Sequence, residues 1–280
     1  MGEMTLDTPK YSVSLVEKDG QHFYTFNNQK TLYPGATGPL GIISKYHLIP
    51  WAAKETALYT QKVLRKTGLI FGLSAKDLCN DRFLELLYKR SKKQHSIKKE
   101  RAADIGTRAH KAIDEIIKGG TPIIEKDTEF VVENFFAWYE QSGMKIINGD
   151  TKVGSQVHGY GGSLDGVVQD ENGKLYVLDF KTSNQIDPLG YSCQVAAYSF
   201  ALKEMYGLYT APDGIIVRFS KIKPEIEIVK VADIFRSFQD GFLPALTLYK
   251  HSQTILLKER FLIKPQIKRG RKNEANKKAN

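Results

Sequence analysis

From Ala102 to Lys118 the residues Ala102, Ile105, Ala109, Ala112, Ile113, Ile116 and Ile117 recur at helical spacing and stop at Gly119-Gly120. That pattern predicts an amphipathic helix. A second helix is expected from about Thr128 to Gln141, ended by Gly143. The period then changes. Lys145–Val157, Tyr160–Gln169 and Lys174–Lys181 read as strands, with Glu171-Asn172-Gly173 as a hairpin-type turn between the last two. Helical patterning returns from about Pro188 to Tyr206 and ends at Gly207. Gly214–Phe219 and Glu225–Lys230 follow as strands, and a closing helix covers roughly Val231–His251.

Before this block, Tyr11–Val16 and His22–Phe26 read as two short strands around a Lys18-Asp19-Gly20 turn. Thr31–Gly41, rich in Gly and Pro, reads as loop. Helical pattern is expected from Ile42 to Thr67, with a break near Pro50, and from Ser74 to Ser91. Ser74 is a candidate N-cap with Asp77 three residues on. Lys89–Lys99 reads as a mobile connector. Adjacent strands joined by a tight turn, followed by a crossover helix, imply an α/β (α+β) fold with a central mixed sheet flanked by helices. The expected organisation is a β-hairpin and mostly helical elaboration over residues 1–100, a core over 101–260 and a basic tail, expected to be disordered, over 261–280.

Composition changes this picture little. At 280 residues, 41% hydrophobic and 26% charged, the chain can bury a sizeable core. It has no run of 18 apolar residues and no signal-like N-terminus, which points to an intracellular protein. Cys79 and Cys193 are too few for a disulfide framework or a four-cysteine metal site, and both read as small buried residues. Charge is more informative. Of a net +10, residues 89–101 carry +6 and residues 264–280 another +6, leaving −2 on the rest. Clustered Lys/Arg suits a polyphosphate partner, and a solvated loop plus a solubilising tail accounts for it equally well. Tyr46, His47, Trp51 and Tyr59 lie near the first cluster in sequence. Aromatics among Lys/Arg can stack on single-stranded DNA, although helical aromatics are more often core.

The sharpest chemistry lies in Gly162-Ser163-Leu164-Asp165-Gly166-Val167 and Tyr176-Val177-Leu178-Asp179-Phe180-Lys181-Thr182. Asp179 and Lys181 are two apart on a strand and share a face. A short slide in register of the preceding strand can bring Asp165 to the same end of the sheet. Two converging carboxylates repel, and a hard divalent cation removes that repulsion. A lysine beside it can act on the attacking water or a phosphate oxygen. A bare Asp-x-Lys is more often a surface ion pair at a strand end. Gly159-Tyr160-Gly161-Gly162 has neither dinucleotide-binding nor Walker spacing, so close backbone approach is the better account of its glycines.

Four motifs in order lift the Asp-x-Lys pair above that reading: Gly106-Thr107-Arg108-Ala109-His110, Gly162-Ser163-Leu164-Asp165, Asp179-Phe180-Lys181-Thr182-Ser183 and Gln194-Val195-Ala196-Ala197-Tyr198. This set resembles the PD-(D/E)XK nuclease superfamily, in particular its RecB-type and mitochondrial-genome-maintenance-exonuclease branch, over about residues 101–220. The resemblance implies a restriction-endonuclease-like core and a Mg²⁺- or Mn²⁺-dependent DNA nuclease. That enzyme is expected to be an exonuclease on single strands or DNA ends. The alternatives are a site-directed endonuclease or junction resolvase, and a catalytically inert nucleic-acid-binding protein. It implies Asp165 and Asp179 as carboxylate ligands, Phe180 as a carbonyl ligand, and His110 as a further ligand. Lys181 would activate water and stabilise charge, with Gln194 and Tyr198 orienting the lysine or touching phosphate. Asp150 stands where the branch usually has Glu and would hold the metal only through water, or serve as a turn residue.

Overall fold

The fold is taken from a computed structural model, which describes residues 6, 8–43 and 48–255. Its centre is a five-stranded sheet in the order β10-β9-β8-β7-β4, from Ile226–Lys230, Asp213–Phe219, Leu175–Lys181, Gly166–Gln169 and Lys145–Asn148. β8 and β9 are parallel and every other pair is antiparallel, so the sheet is mixed. Parallel neighbours need a crossover. Helix α7 (Pro188–Tyr206) supplies it, capped by Asp187, whose Oδ1 accepts from Gly190 N, and ended by Gly207 at φ 65°.

Alternation along β8 assigns the faces. Tyr176, Leu178 and Phe180 pack with Ala109, Ile113, Phe135 and Trp138, from helices α5 (Gln94–Ile117) and α6 (Glu129–Ser142). Val177 turns the other way, with Val195, Ala196 and Phe238. Those come from α7 and from α8, which starts at Ile234–Arg236, passes through a π segment at Ser237–Phe242 and stays helical to residue 255. The period of two that separates these cores also sends Asp179 and Lys181 to the α7 side.

The two long strands expected between residues 145 and 169 are each broken. Lys145–Asn148 is followed, after Gly149-Asp150, by β5 (Thr151–Ser155), and β6 (Tyr160–Leu164) is separated from β7 by Asp165. β5 and β6 leave the main sheet and pair with each other. Periodicity cannot show this, since a strand that changes partner keeps its alternation. Against that pair rests a small sheet of β1 (Val13–Lys18), β2 (Gln21–Phe26) and β3 (Tyr33–Pro34). Gly161 is its contact point. Gly35 bridges to it, Ala36 N donates to its carbonyl, and a Cβ there would overlap the ring of Tyr24. Close backbone approach is thus the reason for that glycine, and the approaching group is an aromatic ring.

The remaining segment forms a helical arm. It comprises α2 (Leu48–Phe71), the short α3 (Ala75–Leu78), α4 (Asp81–Ser91) and the first half of α5. The one-turn helix α1 (Thr37–Leu40) precedes it. Ser74 caps α3 in a capping box with Asp77. Pro50 does not break α2, because it lies in the first turn, where amides lack intrahelical partners. The stretch Lys89–Lys99 is no connector. α4 runs to Ser91, and α5 starts at Gln94 and continues past residues 100 and 101 into the core. Lys, Arg, Gln and Glu are good helix formers, and α2 packs alongside. Cys193 is buried as expected, whereas Cys79 is exposed at the end of α3, where the arm has little core to receive it. Tyr46, His47 and the tail 261–280 lie outside the described residues. Among the described residues, no helix is long and apolar enough to cross a membrane.

Candidate active site

The break between β6 and β7 creates the site. Gly166 pairs with Leu178, so the same register continued by one residue sets Asp165 opposite Asp179 without any slide. Outside the ladder, the Asp165 side chain meets the backbone of β8 and helix α5. Its Oδ2 accepts from Phe180 N at 2.7 Å, and its Oδ1 accepts from His110 Nδ1 at 3.0 Å. His110 comes from α5 on one side of β8, while Asp179 and Lys181 point to α7 on the other.

Asp179 is 2% exposed. The Lys181 ammonium lies 2.5 Å from its Oδ2. That contact is an ion pair without hydrogen-bond geometry, and Oδ2 has no hydrogen-bond donor. Gln194 ties the group together. Its Oε1 accepts from Lys181 Nζ at 3.2 Å, and its Nε2 donates to Tyr198 OH at 2.9 Å and to Asp179 Oδ1 at 3.4 Å. Gln194 and Tyr198 are one turn apart and both buried. A polar residue inside an otherwise apolar helix is thereby fully used.

Burial and neighbouring charge compete at each of these groups. It pushes the Asp179 carboxyl up, more than the Lys181 ammonium pulls it down. Burial likewise opposes charge on Lys181, but Asp179 and Asp165 outweigh it and raise the amine, so Lys181 is a cation. At Asp165 and His110 the desolvation cost is again the largest effect, and their mutual attraction overcomes it: the carboxyl is lowered and the imidazole raised. Opposite charges in contact favour each other's ionised form.

The signs give a pH prediction. A raised imidazole contributes stability that is full below its unfolded value near 6.5 and is lost as pH rises through the folded value. A lowered Asp165 carboxyl contributes above its unfolded value near 3.9 and loses that as pH falls. In chelator, the melting-temperature gap between the protein and His110→Ala is therefore expected to be widest near pH 5–6 and to narrow above neutrality. A gap that widens from pH 6 to 9 rules out the charged pair.

His110, Asp165 and Phe180 line a cavity of about 240 Å³ with Lys111, Ile113, Asp114, Ile117 and Asp150. Asp150 therefore reaches the site, but its carboxylate is paired with Lys152 at 2.5 Å. Asp114 was not foreseen. It lies one turn after His110 on α5, and its Oδ1 accepts from Asp150 N at 3.3 Å. Spacing of i, i+4 from His110 was the available signal. Tyr191 was also missed, and its ring lies against Lys181 with the centroid 4.7 Å from Nζ. Among the described residues no three His, Cys, Asp or Glu side chains form a ready metal cluster. The reason is local, since both Asp165 oxygens are bonded within the protein and Asp179 is paired with Lys181.

No protein-family model and no curated protein sequence matches the chain. Among solved structures it is similar to SSO0001, at 13% identity and TM-score 0.29 over 44% of this chain and 56% of that one. It is also similar to a candidate exonuclease from Eubacterium rectale (14%, TM-score 0.37, 56% of this chain and 66% of that one). A third is an alkaline exonuclease from Laribacter hongkongensis (14%, TM-score 0.32, 58% and 91%). The chain thus spans between half and two thirds of the first two.

Proposed function

We propose that the chain is a Mg²⁺- or Mn²⁺-dependent nuclease that hydrolyses DNA phosphodiester bonds, acting on single strands or DNA ends. The observation that carries this reading is the buried Asp179–Lys181 pair, held by Gln194 and Tyr198 and set opposite Asp165 with its His110 partner. A lysine beside a buried acid and a partly buried one costs desolvation energy, and such clusters concentrate at functional sites.

The donor types suit a hard divalent cation. Asp179 Oδ2 is a buried carboxylate oxygen that faces the Lys181 ammonium and accepts no hydrogen bond of good geometry, and carboxylate, carbonyl and imidazole donors suit Mg²⁺ or Mn²⁺. Asp165, the Phe180 carbonyl and His110 would hold it from the cavity side and Asp179 from the α7 side, the carboxylates and the imidazole giving up their present partners, with Asp150 at the cavity wall. Bound there, the cation would supply Lewis-acid polarisation of phosphate and a more acidic water. Lys181 serves as an ammonium: its charge meets a phosphate oxygen and the charge that develops in the transition state. Gln194 fixes where that ammonium sits, and Tyr198 fixes Gln194.

The arm suits the substrate. Residues 48–101 hold 13 Lys/Arg against five Asp/Glu, or +8 of the chain's +10. Trp51 and Tyr59 are half-buried and Tyr88 is exposed on the same helices. α5 joins arm to site: Lys99 and Arg101 lie eleven and nine residues before His110, about 17 and 14 Å along the helix. Replacing exposed Lys93, Lys99 and Arg101 with alanine is expected to weaken single-stranded DNA binding and make its log–log salt slope shallower by about 2. Anisotropy titrations in chelator, across a salt series, measure this. An unchanged slope removes the arm from the binding surface.

Digestion of end-labelled single-stranded, duplex and circular single-stranded DNA, with Mg²⁺, Mn²⁺ or chelator, tests the reading. Metal-dependent loss of linear strands with intact circles is the expected result, and no hydrolysis with either metal refutes it. Cut circles would instead mark an endonuclease. One observation favours the inert DNA-binding alternative, namely that Asp150 is occupied by Lys152. Calorimetry distinguishes it, because that alternative requires no Mn²⁺ affinity with DNA binding intact.

A further inference from the structure

Tyr191 belongs to no motif, and the chemistry above does not use it. Its place is fixed by the start of α7. Asp187 caps the helix, Pro188 occupies the first turn, and Tyr191 N donates to Asp187 O at 3.0 Å. From there, Tyr191, Gln194 and Tyr198 follow at i, i+3 and i+7 and lie along one helix face. All three are turned to the same lysine region of β8. Gln194 takes one side of the Lys181 ammonium at 3.2 Å and Asp179 another at 2.5 Å. The half-buried Tyr191 ring takes a third, 4.7 Å from its centroid to Nζ. With these covers the Lys181 side chain is only 16% exposed.

A flexible lysine needs such walls to hold one position, because its four-carbon stem carries large rotamer entropy. Asp179 and Gln194 fix the ammonium through oxygens. The ring adds an attraction that consumes no hydrogen-bond donor, since an ammonium over an aromatic face is held by the ring's quadrupole. Nζ therefore keeps a donor for a phosphate oxygen while it remains in place. Among the described residues no hydrogen bond involves the Tyr191 hydroxyl, so a phenyl ring would serve equally.

We propose that Tyr191 is a positioning residue whose ring holds the Lys181 ammonium at the reacting phosphate. The proposal rests on the nuclease reading for its kinetic consequence and on geometry alone for the contact. Tyr191→Leu is expected to lower kcat roughly 2- to 30-fold, the range that a cation–π contact of this kind converts to, with KM within about twofold. Tyr191→Phe is expected to restore kcat. Two outcomes overturn the proposal: a raised KM with kcat kept, as for a ring that stacks on bases, or a lowered melting temperature with kcat kept, as for packing alone.

The contact is also read without activity. In a chain with ¹³C-labelled lysine, in chelator, the Lys181 Hε signals are identified by their loss in Lys181→Arg. They are expected to lie upfield from the ring current, to move downfield in Tyr191→Leu and to return in Tyr191→Phe. Signals unmoved by Tyr191→Leu overturn the proposal. If the wild-type chain hydrolyses no DNA, the nuclease reading fails by itself and the spectrum still decides whether Tyr191 holds Lys181.

Discussion

Lys181→Ala is expected to lower metal-dependent DNA hydrolysis by at least about 10²-fold, the usual loss when a preorganised charge-stabilising donor is removed from a site. The same change also acts on stability. Asp179 is 3% exposed at its side chain and its cationic partner is Lys181. Deleting one member of a buried ion pair typically costs about 3–5 kcal/mol, because the other charge stays buried and uncompensated. Burial already pushes the Asp179 carboxyl up, so part of that cost is relieved by protonation. A fall in melting temperature is therefore expected with the loss of activity. The double variant Asp179→Asn/Lys181→Met separates the two effects. It removes both charges, is expected to recover most of the stability, and is expected to stay as inactive as the single variant. Hydrolysis measured per folded molecule, with folding followed by circular dichroism, checks this. Wild-type rates in Lys181→Ala would end the catalytic assignment.

Gly162→Ala is expected to lower both stability and activity. A Cβ at Gly162 would overlap Cε1 of the Tyr198 ring. Tyr198 is buried and receives the Gln194 amide, so a displaced ring shifts Gln194 and, through it, Lys181. Overpacking of this kind costs about 1–3 kcal/mol, a loss of roughly 2–12 °C in melting temperature for a domain of this size. Activity should fall with it, although Gly162 touches no substrate. Gly68→Ala is the control. It adds a methyl in open space on α2, and replacing glycine inside a helix stabilises by up to about 1 kcal/mol. Thermal melts of the two variants, expected to move in opposite directions, make the comparison. Equal melting temperatures would mean that Tyr198 has room to move and that the positioning chain is loose.

The second prediction depends on a contact between residues far apart in sequence, Gly162 and Tyr198, and such contacts mark the limit of what a sequence shows. Helical spacing located α6 and α7 to within a residue or two, because their apolar repeats are strong and Gly143 and Gly207 stop them in the left-handed region. The strand bearing Asp179 and Lys181 was equally clear. α5 was placed eight residues short at its start, since Lys93–Arg101 has no apolar repeat and helix propensity with packing on α2 decides its conformation. The broken strands were misread for a different reason. Alternation records which residues are apolar, not which strand they pair with, so β4 and β5 looked continuous across Gly149-Asp150.

By itself, the sequence determined the order of the helices from α5 onward, the shared face of Asp179 and Lys181, and His110, Asp165, Gln194 and Tyr198 as candidates. The shared face follows from the period of a strand, whereas His110, Asp165, Gln194 and Tyr198 stand out only through the resemblance that the four ordered motifs carry. The tertiary structure decided how the site closes. Asp165 leaves the ladder and bonds to His110 on one side of β8, while Gln194, Tyr198 and Tyr191 converge on Lys181 from the other. It also brought Asp114 and Asp150 to the same cavity wall and engaged Asp150 with Lys152. Burial, the largest influence on protonation at the four central groups, arises only when helices cover both faces of the sheet. No local pattern encodes it, because desolvation is a property of what surrounds a residue in space.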